Sequence, residues 1–263
     1  MTSAEPDPGP YWIGTSWKMT KTLAEARAYA ERLAASAEAR AVGVQSFVIP
    51  PATAIATVAA ALGGTGPVLV GAQNAHWEDA GAWTGEISVP QAADAGASLI
   101  EIGHSERREH FGESDGTVNL KVGATLRHGL RPLVCVGESA GQRDAGQAVA
   151  TVVGQVRAAL AGHEEHAARV LVAYEPVWAI GERGREPHPD EIAEVVSALT
   201  RELGPRTPVL YGGSVHRGNA ESILELPCVS GLFVGRGAWD VSDFVALLGL
   251  AAGRARATGR SRR

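Results

Sequence analysis

The sequence predicts an α/β protein folded as one closed barrel of eight parallel strands, each followed by a helix: a single-domain (β/α)8 barrel. Three observations carry that expectation. Short β-branched runs alternate with longer Ala-rich amphipathic stretches along the chain. The runs are nearly continuous in apolar residues and lack the polar alternation of a half-exposed sheet, as suits a parallel sheet buried on both faces. Eight such pairs fit in about 240 residues, an ordinary length for this barrel. An open, doubly wound sheet competes on the same pattern, but no Gly-x-Gly-x-x-Gly follows the first strand.

The elements follow in order. Residues 1–10 form a Pro-rich, flexible N-terminal tail, and residues 11–250 the barrel. The first strand, Trp12–Trp17, leads to a helix over Leu23–Ala39. Gln45–Ile49 is followed by Thr53–Leu62, and Val68–Gly71 by Val89–Ala95. Leu99–Ile102 precedes the helix Asp115–His128, and Pro132–Val136 precedes Ala145–Leu160. Val170–Tyr174 is followed by Pro189–Leu203, Val209–Tyr211 by Asn219–Glu225, and Gly231–Val234 by Val241–Leu250. Residues 251–263 are read as a basic, disordered C-terminal tail.

Composition excludes several classes. With 45% hydrophobic residues among 263, the chain has the material for a core, which rules out general disorder. No 18-residue stretch lacks polar residues, so no membrane span is expected, and the N-terminus shows no secretory pattern. Cys135 and Cys228 have neither disulfide-framework nor metal-ligand spacing, and the cytosol is the expected compartment. The net charge is −5 although five arginines crowd the last ten residues, so the remainder sits near −10. So acidic a body does not suit nucleic acid.

In such a barrel the chemistry belongs just after the strands, at their C-terminal ends. Ser16-Trp17-Lys18 follows the first strand and Gly103-His104-Ser105-Glu106-Arg107-Arg108 the fourth. Tyr174-Glu175-Pro176-Val177-Trp178-Ala179-Ile180-Gly181 closes the sixth. The seventh and eighth end in Tyr211-Gly212-Gly213-Ser214 and Val234-Gly235-Arg236-Gly237. Glycine turns at these last two positions form the usual phosphate cradle of the fold. A carboxylate (Glu175), an imidazole (His104) and a cation (Lys18) beside a phosphate site are what proton transfer next to a carbonyl requires. A base takes the carbon proton, a donor polarises the carbonyl, and a cation stabilises the enediolate; no cofactor is needed. Taken alone, Glu175 is also readable as a structural carboxylate paired with a neighbouring Arg or Lys, a common fate for such a residue.

SWKM, GAQN, TGEIS, GHSERREHFGE, CVGE, AYEPVWAIG, YGGSV and G-x-F-V-G-R, in that order across residues 12–250, resemble the motifs of the triosephosphate isomerase family, whose fold is the TIM barrel. The resemblance implies Glu175 as the base, His104 as the electrophile and Lys18 as the cation. Gly181, Ser214, Gly235 and Arg236 would line the phosphate cradle. A neutral histidine at a helix start is itself a known feature of that family. Pro176 to Gly184 would be the lid that closes over the substrate.

Four departures from the family pattern stand out. Ser16 replaces Asn, Arg236 replaces Gly, the lid reads Gly181-Glu182-Arg183-Gly184-Arg185, and Trp83 replaces Phe. Ser16 removes volume from the pocket wall. Arg236, or Glu182 in the lid, adds a polar group to bind phosphate or a sugar hydroxyl. The combination looks like the tetrulose-phosphate branch of the family, which interconverts L-erythrulose 1-phosphate and D-erythrulose 4-phosphate in erythritol catabolism. The alternatives are an ordinary triosephosphate isomerase of glycolysis and gluconeogenesis, a catalytically silent sugar-phosphate-binding barrel, and a phosphate-binding lyase or synthase. A homodimer through the Gln73–Ser88 loop is also expected, because Trp77, Trp83 and Ile87 are apolar bulk that one barrel would not expose.

Three further patterns are set aside. His163-Glu164-Glu165-His166 has its histidines three apart, where a zinc helix needs four. The stretch opening at Gly103 resembles a nucleophile elbow but ends in Arg107. Cys135 reads as a core thiol.

Overall fold

In the computed structural model, which describes residues 9–64, 66–181 and 184–260, eight parallel strands close into a barrel in sequence order. They are β1 (Tyr11–Ser16), β2 (Val44–Ile49), β3 (Val68–Ala72), β4 (Leu99–Ile102), β5 (Arg131–Val136), β6 (Leu171–Tyr174), β7 (Val209–Tyr211) and β8 (Gly231–Val234). Pairing of β1 with β8, Trp12 beside Gly231, completes the closure.

Period-two alternation splits each strand between two cores. Phe47, Ile49, Leu99, Leu133, Leu171, Leu210 and Phe233 point inward and fill the barrel. Val48, Ile100, Ile102, Val134 and Val172 point outward against the helices. Gly14 has a specific role: a Cβ there would collide with the Phe47 ring, so its absence lets that ring lie across the barrel. The inward residues thus pack the lower barrel solidly, and polar groups appear only at the strand ends.

The helices are α1 (Leu23–Ala35), α2 (Ile55–Ala61), α3 (Val89–Asp94), α4 (Ser105–Phe111), α5 (Asp115–Arg127), α6 (Ala140–Asp144), α7 (Ala148–Leu160), α8 (Pro189–Leu203), α9 (Ala220–Leu224) and α10 (Val241–Thr258). Capping boxes fix several starts: Thr22 with Glu25, Ser88 with Gln91, and Ser139 with Gln142. The short α4 and α6 escape the sequence pattern because neither buries a residue, so neither carries an apolar stripe.

The C-terminal tail corrects an expectation. α10 continues to Thr258, eight residues beyond Leu250. Ala251, Ala252 and Ala255 are buried against the core, and the arginines between them hide that small apolar face in the sequence. Gly259 ends the helix at φ 68°. The Arg260 guanidinium then stacks 4.0 Å over the Tyr11 ring. Arg262 and Arg263, like Met1 to Pro8 of the expected N-terminal tail, lie outside the described residues.

Candidate active site

Lys18 leaves β1 in the left-handed region at φ 52°, an uncommon conformation for a non-glycine residue. Gln73, after β3, holds it there by donating its side-chain amide to the Lys18 carbonyl at 2.8 Å and to the Ile49 carbonyl at 3.3 Å. The Lys18 ammonium pairs with Glu106 on α4. Burial works to raise the Glu106 carboxyl, but the hydrogen bond and charge of Lys18 hold it below the usual range.

His104 is the N-cap of α4, and its Nδ1 accepts the Glu106 backbone N–H at 3.1 Å. An accepting Nδ1 carries no proton, so the ring is neutral with its hydrogen on Nε2. That nitrogen lies 3.8 Å from Glu175 Oε2. The loop is held from behind. Gly103, at φ 79°, donates its N–H to Glu113 at 3.1 Å and accepts from Arg108 at 2.9 Å. Glu113 is clamped by Arg107 at 2.9 Å and Lys121 at 3.2 Å.

Glu175 follows β6 and is 6% exposed, and its Oε2 has no hydrogen-bond partner among the described residues. A buried carboxylate with one oxygen unpartnered at the barrel mouth is chemically able to accept a proton. Its backbone N–H donates to Val136 at 2.7 Å, and Gly212 lies against its side chain so closely that a Cβ there would displace it. Just beyond, Glu138 collects Arg143 at 2.7 Å, Trp178 Nε1 at 2.9 Å and the Tyr174 hydroxyl at 3.1 Å. This hub anchors the start of the 176–184 segment. The far side is tied where Arg185 stacks 4.4 Å from the Trp178 ring and pairs with Glu191.

A cavity of about 430 Å³ opens between these groups. Lys18, Glu175, Gly181, Ser214, Gly235 and Arg236 all line it, so six of the eight expected site residues meet in one space. Ser16 does not. It lines a second cavity of about 210 Å³ together with His104 and Glu101, and Lys18 and Glu106 border both spaces. Glu182 lies outside the described residues.

The match with known proteins now bears on this geometry. Residues 11–251 match the family described as Triosephosphate isomerase. The chain belongs to the triosephosphate isomerase family. Within it, the chain is 55% identical over 249 residues to a protein of Mycolicibacterium smegmatis named L-erythrulose-1-phosphate isomerase, covering 94% of this chain and 95% of that one. Proteins of the same name from Mesorhizobium japonicum and Brucella abortus are 51% and 50% identical, covering 92% and 90% of this chain and 97% and 95% of theirs.

Membership in the triosephosphate isomerase family leaves several residues that the motifs alone did not single out. Glu101 is the chief of them: a charged residue at an inward position of an otherwise apolar strand, a signal open to parity counting but passed over. Glu106, Glu113 and Glu138 lay inside recognised motifs without a role. The patterns set aside stay apart from the site. His163 to His166 lead into β6 from the opposite end of the barrel, and no group of three or more His, Cys, Asp or Glu among the described residues is placed to hold a metal. Cys135 is buried inside the barrel, and burial, reinforced by the charges of Glu175 and Glu101, pushes its thiol up.

Proposed function

We propose that the protein isomerises L-erythrulose 1-phosphate to D-erythrulose 4-phosphate. The observation that carries this is the second cavity. Ser16 stands where the family pattern has Asn, and the space it borders opens at the end of the site away from Gly181, Ser214 and Gly235. The four-carbon substrate differs from dihydroxyacetone phosphate by a hydroxymethyl group at that end. The names of the relatives from M. smegmatis, M. japonicum and B. abortus support the same reading.

We assign the residue roles on this reading. Phosphate sits against the main chain of the β7 and β8 loops, with Gly181 and Arg236 beside it. Glu175 takes the proton from the hydroxyl-bearing carbon next to the carbonyl and returns it to the former carbonyl carbon. His104 Nε2–H donates to the oxygen that becomes negative, and Lys18 stabilises the enediolate. Proton and carbonyl change places, so no electron acceptor takes part. Closure of the 176–184 segment would exclude water from the enediolate.

Measuring kcat/KM for L-erythrulose 1-phosphate and for dihydroxyacetone phosphate tests the substrate. The four-carbon compound is expected to be preferred, and a preference for the triose phosphate sinks the reading.

The assembly we infer is a homodimer through the Gln73–Ser88 loop. Trp83 is exposed there, its ring tilted against His76 with centroids 4.4 Å apart, whereas Trp77 and Ile87 are half-buried against the protein's own core. Met19, 97% exposed, and Phe111 leave the second cavity with an open apolar rim that such a loop from a partner subunit would cover. Sedimentation at assay concentrations is expected to give a dimer. Among the described residues no helix is long and apolar enough to cross a membrane, which accords with the cytosolic location we assign.

A further inference from the structure

Strand β4 carries a charge at an inward position of an otherwise apolar run. Leu99 and Glu101 face inward, Leu99 into the interior core, while Ile100 and Ile102 face the helices. Glu101 is 3% exposed. Among the described residues its carboxylate takes one hydrogen bond, from the Ser16 hydroxyl at 2.8 Å, and no ion pair. Lys18, a cation close enough for its charge to act on Glu101, is engaged by Glu106. A carboxylate this buried with a single hydroxyl partner is costly for a fold to keep. Proton transfer among Glu175, His104 and Lys18 makes no use of it.

Its position gives it a use. Glu101 and Ser16 line the 210 Å³ cavity, with Gln73, His104, Glu106 and Arg107 as its other polar neighbours, and that cavity meets the main site at Lys18. A substrate with its phosphate against Ser214 and Gly235, and its reacting carbons between Glu175 and His104, points its far end into that space. On the four-carbon reading above, on which this inference rests, that end is a hydroxymethyl group.

We propose that Glu101 is a specificity-determining residue, its carboxylate accepting a hydrogen bond from the terminal hydroxyl of the four-carbon sugar phosphate while Ser16 orients it. A three-carbon substrate has only hydrogen at that place and leaves the buried carboxylate unsatisfied, so one group favours the longer substrate and disfavours the shorter. Burial, with the Glu175 charge acting the same way, pushes the Glu101 carboxyl up to about 7, against the Ser16 hydrogen bond and the charge of Lys18. A donated hydroxyl would favour the ionised form.

The test compares L-erythrulose 1-phosphate, its 4-deoxy analogue and dihydroxyacetone phosphate in the wild type, Glu101→Met and Glu101→Gln. The wild type is expected to favour the parent compound over the 4-deoxy analogue by about 100-fold or more in kcat/KM. Glu101→Met should erase that preference, lowering kcat/KM for the parent compound and raising it for the two compounds without the terminal hydroxyl, and Glu101→Gln, which keeps a carbonyl acceptor, should recover part of it. Equal wild-type turnover of parent and 4-deoxy analogue overturns the proposal, and this arm needs no variant to fold. An equal loss on all three compounds in Glu101→Met overturns it too, by showing a structural role. A wild type that prefers dihydroxyacetone phosphate removes the four-carbon reading and this inference together, and so is distinguishable from a failure at Glu101 alone.

Discussion

At one end of the active site the wall is main chain, and at the other it is side chain. Around Gly212, Gly213 and Gly235 the residues have no Cβ and leave the 430 Å³ cavity bordered by backbone, with Ser214 and Arg236 at its edge. Around Ser16 and Glu101 the smaller cavity is bordered by a hydroxyl and a buried carboxylate set on strands β1 and β4. Backbone suits a group that every family substrate shares, because a phosphate needs N–H donors and little else. Side chains suit the group that varies, since one substitution there changes what is read and leaves the fold alone. The trio to which we assign the chemistry lies between them, Glu175 on the larger cavity, His104 on the smaller and Lys18 on both.

The comparison breaks most visibly if the centre does not serve both ends. Glu175→Gln keeps shape and removes the base, so kcat/KM should fall about 10³- to 10⁴-fold for three- and four-carbon substrates alike. Thermal stability should hold or rise, because the replaced group is a buried carboxylate with an unpartnered oxygen. Near-normal turnover in this variant would remove Glu175 from its role. A loss confined to one substrate would mean the two ends are not sharing one reaction centre.

The two walls also differ in how legible they were. Glycine turns after β7 and β8 sit at fixed offsets in recognisable motifs, and so do Lys18, His104 and Glu175; the structure brings them together as the spacing implied. The eight strands were equally plain, because each is an apolar run bounded by polar loops. Glu101 was not, since β4 reads as apolar and a single carboxylate within it gains meaning only from the inward parity of its position. Helix α4 was hidden because its exposed faces carry no apolar period, although it decides the tautomer of His104. The end of α10 was hidden for the opposite reason: its buried face is alanine, and the arginines around it suggested a solvated tail.

A second test sharpens the side-chain end through pH. Glu101 binds its proton more tightly folded, at about 7, than a free carboxyl does near its ordinary 4.5. Its contribution to stability is therefore fully present below about pH 4.5 and is lost as pH rises through 7. Ser16 and Lys18 from β1, His104 after β4, Glu175 after β6 and the Cys135 thiol on β5 all face this group. Glu101→Gln removes the titration, so the variant should gain on the wild type by as much as about 3 kcal/mol between pH 5 and 8 in denaturant unfolding. A stability difference that stays constant over that range would show that Glu101 ionises as an exposed carboxyl does.

The smallest expected effect separates the two walls directly. Ser16→Asn restores the family's larger side chain at the edge of the second cavity, where it fills the space for a hydroxymethyl group while keeping an N–H to donate to Glu101. Arg236→Gly restores the family's residue at the other end, where Arg236 lines the phosphate cavity and not the smaller one. The two changes should therefore act differently. Ser16→Asn should shift the kcat/KM ratio toward the three-carbon substrate by about tenfold, the scale of one small group in a pocket. Arg236→Gly should weaken both substrates by a common factor through KM, as loss of a charge-assisted bond to phosphate requires. The double variant should show the Ser16 ratio and the Arg236 loss together, because the two residues line different cavities. If Arg236→Gly moves the ratio instead, the arginine reads the sugar and the division between a backbone end and a side-chain end does not hold.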